Sequence, residues 1–315
     1  MKNLIMLLSI ILFLGCAQAN KKNESKNTNN IKSNISWIPI KWIGGESGGK
    51  HYDKLSMEIP ILLNDSIEHF AQFDLGANTD MLYEPTLKNY YNIKEVFNID
   101  TVGTENYYYW LRNPNIKIGN KNTAVKDWVV RTDYDAEGVI GTIGAEELKE
   151  RILIIDFPND KLAILDSITE NHRNQYKYLN FELVNNKVIV DIRIGNKTYE
   201  VNFDTGSSIT PLFVSDYKLF KEITNNKIGV DTLKQFVSWG KTIESIPGAY
   251  TKEKLIIGDK DFGHQMVYYF DSEYHRNLFK QDRIVALMGS ILFFKNEILI
   301  DFKARKLGIK FPANN

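Results

Sequence analysis

Two short stretches carry residue types that could share one reaction. They are "FDLGAN" at residues 73–78 and "FDTGSS" at residues 203–208, each an apolar strand end that stops on an aspartate, with a glycine two residues later. Taken singly, such stretches are usually no more than tight turns, because Asp, Thr, Gly and Ser are what turns are made of. Taken together, Asp74 and Asp204 could form a pair of carboxylates. Two carboxylates held side by side cannot both ionise cheaply, so the pair keeps one proton and titrates as a unit. The ionised member can take a proton from a water lying between them while the protonated member donates to a peptide carbonyl, so that water attacks directly without a covalent intermediate. Gly76 and Gly206 would let the backbone turn tightly and approach the carboxylates.

The elements that must position this pair are strands. Apolar runs of strand length recur with turn residues between them, among them "KLSMEIPILL", "ILIIDF", "KVIVDIRIG" and "ILIDF". Only "AEELKE" and "SDYKLFKEIT" read as short helices. Laying one half on the other shows an internal repeat. The order "FAQFDLGANTDMLY", "NIKIGNKNTAVKDWVV", "GTIGAEELKERILIIDFPNDKLAIL" is repeated as "YEVNFDTGSSITPLFV", "KLIIGDKDFGHQMVYYF", "LMGSILFFKNEILIDFKARKLGIKF". Twelve residues separate Gly144 from Asp156, and twelve separate Gly289 from Asp301. The apolar content lapses at residues 166–175, which sets the expected division at lobes 35–170 and 171–315.

The chain has 315 residues, enough for two medium domains, and 43% of them are apolar. Lys and Arg together number 39, as do Asp and Glu, so bulk charge makes no case for nucleic acid as a partner. Residues 1–19 have the layout of an export signal, with Lys2, an apolar run from Leu4 to Leu14, and small residues after it. "FLGC" resembles a lipobox ending at Cys16, the single cysteine of the chain, whereas "AQA" before Asn20 suits an ordinary signal peptidase. The expected location is therefore a lipid-anchored place in a bacterial cell envelope, or otherwise the periplasm or the outside. Residues 20–34, rich in Asn and Lys, read as a flexible polar tether. With one cysteine no internal disulfide forms, and stability rests on core burial.

Two copies of a strand, an Asp-x-Gly turn and a later apolar-apolar-Gly segment before a short helix resemble the two lobes of a pepsin-like or retropepsin-like aspartic peptidase. The resemblance spans about residues 36 to 311 and is tighter in the second half, through "DTGSS", "LMG" and "ILIDF". It implies an all-β, bilobal fold of two β-barrel-like lobes related by a pseudo-two-fold axis, with Asp74 and Asp204 lining the cleft between them. It also implies peptide-bond hydrolysis on polypeptide substrates, without metal or cofactor. In that family the hydroxyl at the position of Thr205 bonds across the axis to the opposite loop, and Ser207 supports the outer oxygen of its aspartate. The first motif departs from the pattern, since Leu75 stands where the reciprocal hydroxyl belongs and cannot donate. Ala77 departs less, because retropepsins commonly carry alanine there. The alternative reading is a catalytically weakened or inactive peptide-binding module of the cell envelope. By the same resemblance, Tyr107, Tyr108, Tyr109 and Trp110 would suit a substrate-covering flap, with Trp239 on the other side; packing against a core is the competing reading of all five.

Other motifs carry less. "GGESGGKH", residues 44–51, comes one residue from a phosphate-binding loop, but "YDKLSMEIPILL" after it reads as strand rather than helix, so a glycine turn is expected and no nucleotide. His51, His69, His172, His264 and His275 show no metal-ligand spacing.

Overall fold

The computed structural model describes residues 35–312, apart from residues 48–49, 98, 101–107, 135, 137, 225–230 and 239–240. The export signal, Cys16 and the tether lie outside the described residues, as do Tyr107 and Trp239.

Strands dominate, and the molecule is an all-β protein of two lobes. The repeat read in the sequence is a repeat of topology. In the first lobe the strands lie side by side in the order Ile99–Asp100, Tyr108–Arg112, Asp127–Arg131, Met81–Tyr83, Gly141–Ile143, Ile67–Phe73, Lys50–Leu63, Ile116–Ile118 and Lys121–Asn122. In the second the order is Asp231–Ser238, Lys241–Tyr250, Met266–Tyr269, Leu212–Val214, Ala286–Gly289, Lys197–Asp204, Lys187–Ile194, Leu255–Ile257 and Lys260–Asp261. Position by position the two lists correspond. The pairing senses correspond too: Gly141–Ile143 runs parallel to Ile67–Phe73, as Ala286–Gly289 runs parallel to Lys197–Asp204.

A seam of six strands joins the lobes, in the order Ile38–Pro39, Lys161–Leu165, Ile152–Asp156, Glu297–Asp301, Lys306–Lys310 and Lys177–Val184. Its centre is antiparallel, with Ile154 opposite Leu299. "ILIID" is apolar without alternation because both faces of that strand are covered. Leu153 and Ile155 enter the main core, while Ile152 and Ile154 pack on Tyr176 and Leu299 on the other side. Between seam and second lobe, residues 166–175 hold the short helix Glu170–Arg173, capped by Thr169.

"AEELKE" forms a turn of 3₁₀-helix, Ala145–Leu148, and "SDYKLFKEIT" forms the helix Tyr217–Ile223, whose first N–H groups are taken by the Asp216 carboxylate. A longer helix, Glu273–Asp282, escapes the sequence reading. Its apolar residues are sparse, and part of its buried face is polar, formed by His275 and Asp282 beside Phe279. The Ser272 cap was its one legible signal. The near phosphate-loop motif is the tip of a long hairpin, Lys41–Ser47 with Lys50–Leu63.

Candidate active site

Strand alternation decides which residues face the cleft. In Ile67–Phe73 and Lys197–Asp204, Phe73 and Phe203 point into the core and are fully buried. Their neighbours Asp74 and Asp204 therefore face the other way, into a cleft of about 440 Å³ that both lobes line. The two loops hold the carboxylates identically. Gly76 N–H donates to Asp74 Oδ1 at 2.8 Å, and Gly206 N–H donates to Asp204 Oδ1 at 2.8 Å.

The glycines do more than turn. A Cβ on Gly76 would lie 2.5 Å from the Asp204 carboxyl carbon, and one on Gly206 would lie 2.6 Å from that of Asp74. Each carboxylate thus rests against the bare backbone of the opposite loop, and only glycine leaves the room. Further back, a Cβ on Gly144 would meet Ala77 O at 2.9 Å, and one on Gly289 would collide with the carbonyls of Ser207 and Thr210. These two glycines let the apolar-apolar-Gly segments pass directly beneath the loops.

The cross-axis bonds are one-sided. Thr205 Oγ1 accepts from Leu75 N–H at 2.9 Å and donates to Phe73 O at 2.9 Å, both across the lobe boundary. Leu75 is fully buried in the main core and returns neither bond through its side chain. The Ser207 hydroxyl does not support Asp204 as expected. It pairs with Thr210 Oγ1, and the support comes from the Ser207 backbone N–H, 3.2 Å from Asp204 Oδ1.

Burial raises both carboxyls above their ordinary value of 3.8, Asp204 much further than Asp74. After burial, the largest influence on Asp204 is the charge of Asp74, which raises it further. Asp74 is held back first by its bond from Asp204, then by the Gly76 and Ala77 N–H groups and the charge of Lys187. The arrangement favours one proton shared by the pair.

Three contributors were not read from sequence. Lys187 pairs with Asp282 in a buried ion pair, with side-chain exposures of 3% and 1%, and Asn185 Nδ2 donates to the other oxygen of Asp282 at 2.9 Å. Val188 lies opposite Phe203 in the register, which brings Lys187 alongside Asp204. A cation directly before the apolar run "VIV" at residues 188–190 was its signal. Asp80 is fully buried and accepts from Gly144 N–H at 2.7 Å, while its other oxygen has no partner. Burial pushes the Asp80 carboxyl well above its ordinary value of 3.8, and its bond from Gly144 fastens the Gly144 segment to the loop. Its signal was its place six residues after Asp74, where the second copy has Thr210. Third, Asn202, two residues before Asp204, has neither amide atom partnered.

Of the aromatic cluster, Tyr108, Tyr109 and Trp110 do not line this cleft. Tyr108 is exposed, Tyr109 packs against the main core, and Trp110 lies under Arg112. Among the described residues, the rings that line the cleft are those of Tyr83, Tyr134, Phe213 and His275. Tyr83 and Tyr134 meet edge to face at 4.7 Å, and the Tyr83 hydroxyl pairs with Thr142.

No family model matches the chain, and no curated protein matches it. Among solved structures, basic 7S globulin from soybean is similar in chain path, with a TM-score of 0.48 and 9% identity over 89% of this chain and 95% of that one.

Proposed function

We propose that the protein is an exported aspartic-type endopeptidase that hydrolyses peptide bonds with a water held between Asp74 and Asp204. The observation that carries this reading is the mutual seating of the two carboxylates, each against the glycine of the opposite loop. A structural turn has no need of that arrangement, and a buried like-charge pair is costly to keep. In the proposed cycle the ionised member of the pair accepts the proton of the water and the protonated member donates to the substrate carbonyl. The cleft that would take the substrate is lined by both lobes, and Cys16, if lipidated, would hold the enzyme at a bacterial cell envelope.

The test is cleavage of a diverse peptide library by residues 20–315, read by mass spectrometry from about pH 3 to 8, the range a shared-proton pair can span. Cuts that disappear when both carboxylates are replaced by asparagine support the reading; silence from folded protein at every pH overturns it. Gly76→Ala should lower turnover about 100-fold or more, because its methyl group would displace the Asp204 carboxyl by a large fraction of an ångström. Unchanged turnover in that variant would contradict the seating.

Leu75 favours a second reading, a peptide-binding module whose chemistry has weakened. Leu75→Thr would supply the missing hydroxyl, a bond ordinarily worth about 1 kcal/mol. If the site is a weakened enzyme, turnover rises several-fold in this variant. No gain, with peptide binding that survives loss of both carboxylates, would favour the module.

A further inference from the structure

The two walls beside the carboxylates differ in chemistry. Side chains directly opposite one another in neighbouring strands share a face, so the residue two before each aspartate sits in a row across three strands on the cleft side. In the first lobe that row is Glu58, Gln72 and Thr142. In the second it is Ile189, Asn202 and Leu287. The corresponding positions of the repeat are polar in one lobe and mostly apolar in the other.

The partners of these groups decide what they offer a ligand. Glu58 is neutralised by Lys41 at 2.9 Å, and the Thr142 hydroxyl is engaged with Tyr83. Gln72 is half-buried, lines the cleft, and has no hydrogen bond from its amide among the described residues. It therefore presents an NH2 group that can donate and a carbonyl oxygen that can accept. The charged groups nearby are already paired, Arg131 with both oxygens of Asp133 and Lys187 with Asp282. On the other wall Asn202 is only 1% exposed, and the lining sets the apolar Phe213, Leu278 and Leu287 beside the polar Thr210 and His275, so an apolar side chain finds its contacts on the first three.

We infer that the cleft selects a bond between one amide-bearing residue, asparagine or glutamine, seated on Gln72, and one apolar residue seated on the second lobe. This rests on the peptidase reading and names its substrate class. A neutral amide matches Gln72 donor for acceptor and brings no unpaired charge into the cleft. An apolar side chain there would leave the Gln72 amide dehydrated without a partner, which is how a polar site rejects an apolar competitor.

The experiment uses a peptide set in which the two residues of the cleavable bond are varied among Asn, Gln, Asp, Lys, Leu and Phe in both orders. Wild type, Gln72→Leu and Gln72→Asn are compared for kcat/KM. Wild type is expected to prefer an amide paired with Leu or Phe over two apolar residues by at least about tenfold. Gln72→Leu should reverse that preference, and Gln72→Asn should keep most of it. Apolar pairs preferred by wild type, or a preference that Gln72→Leu leaves unchanged, would overturn the assignment. In parallel, binding of the same peptides to the Asp74→Asn/Asp204→Asn protein is read by fluorescence anisotropy. Amide-selective binding without cleavage by wild type would keep the assignment and remove the peptidase. Cleavage with no amide preference would do the reverse, and neither preference nor cleavage would remove both.

Discussion

Asp204→Ala is expected to abolish cleavage at every pH and to make the fold increasingly more stable than wild type as the pH rises. Loss of activity follows because the remaining carboxylate cannot both accept a proton from water and donate one to the carbonyl. The stability effect follows from linkage. Burial and the adjacent Asp74 charge raise the Asp204 carboxyl far above its ordinary 3.8, so between those values the folded protein binds more protons than the unfolded chain. Stability contributed by such a group is fully present below the unfolded value and is lost as the pH climbs towards the folded one. Wild type should therefore lose stability from about pH 4 upwards for a reason the alanine variant lacks. Thermal melts of both proteins at pH 4, 5.5 and 7, run beside the cleavage assay, test both halves. A melting-temperature gap that narrows with rising pH would mean that the pair does not hold a shared proton in the folded protein.

The second large effect is structural. Lys187→Met should destabilise the protein by about 3 kcal/mol or more, because it strands the Asp282 carboxylate where water cannot reach it. Lys187→Met/Asp282→Leu should recover most of that loss, since a buried ion pair replaced as a unit by apolar groups costs little. Denaturant midpoints for the two singles and the double decide it; a double as unstable as the worse single would show that the cost was lost packing rather than an uncompensated charge. The double variant also isolates an electrostatic effect. With the lysine charge gone, the ionised form of Asp74 is less favoured, so the acid limb of the cleavage profile should move to higher pH.

How much of this was legible before the fold was known depended on whether a residue's role is local. Asp74, Asp204, Gly76 and Gly206 could be found because the turn motif occurs twice in the same order relative to the strands. The topology followed from the same repeat. Thr205 was found through the resemblance, and its two bonds reach across 130 and 132 positions. Lys187, Asp80 and Gln72 escaped because their work depends on strand register, which no single stretch records. A comparison made face by face rather than motif by motif would have marked Gln72 against Asn202 and Asp80 against Thr210. The aromatic cluster had two readings for the opposite reason: aromatic residues suit a half-buried strand as readily as a lid, and Tyr109 and Trp110 lie in a strand paired on both sides.

The six-strand seam carries a consequence for what the site can become. Where two identical chains build one site about a two-fold axis, every substitution lands twice, and the site must stay symmetric. Here Ile152–Asp156 and Glu297–Asp301 lie in one chain, so the axis survives in the backbone while each side of it is spelled separately. Leu75 can face Thr205, and Gln72 can face Asn202, without a second copy of either change. Under the proposed function, the two ends of a bound chain would meet different surroundings, and its direction would matter.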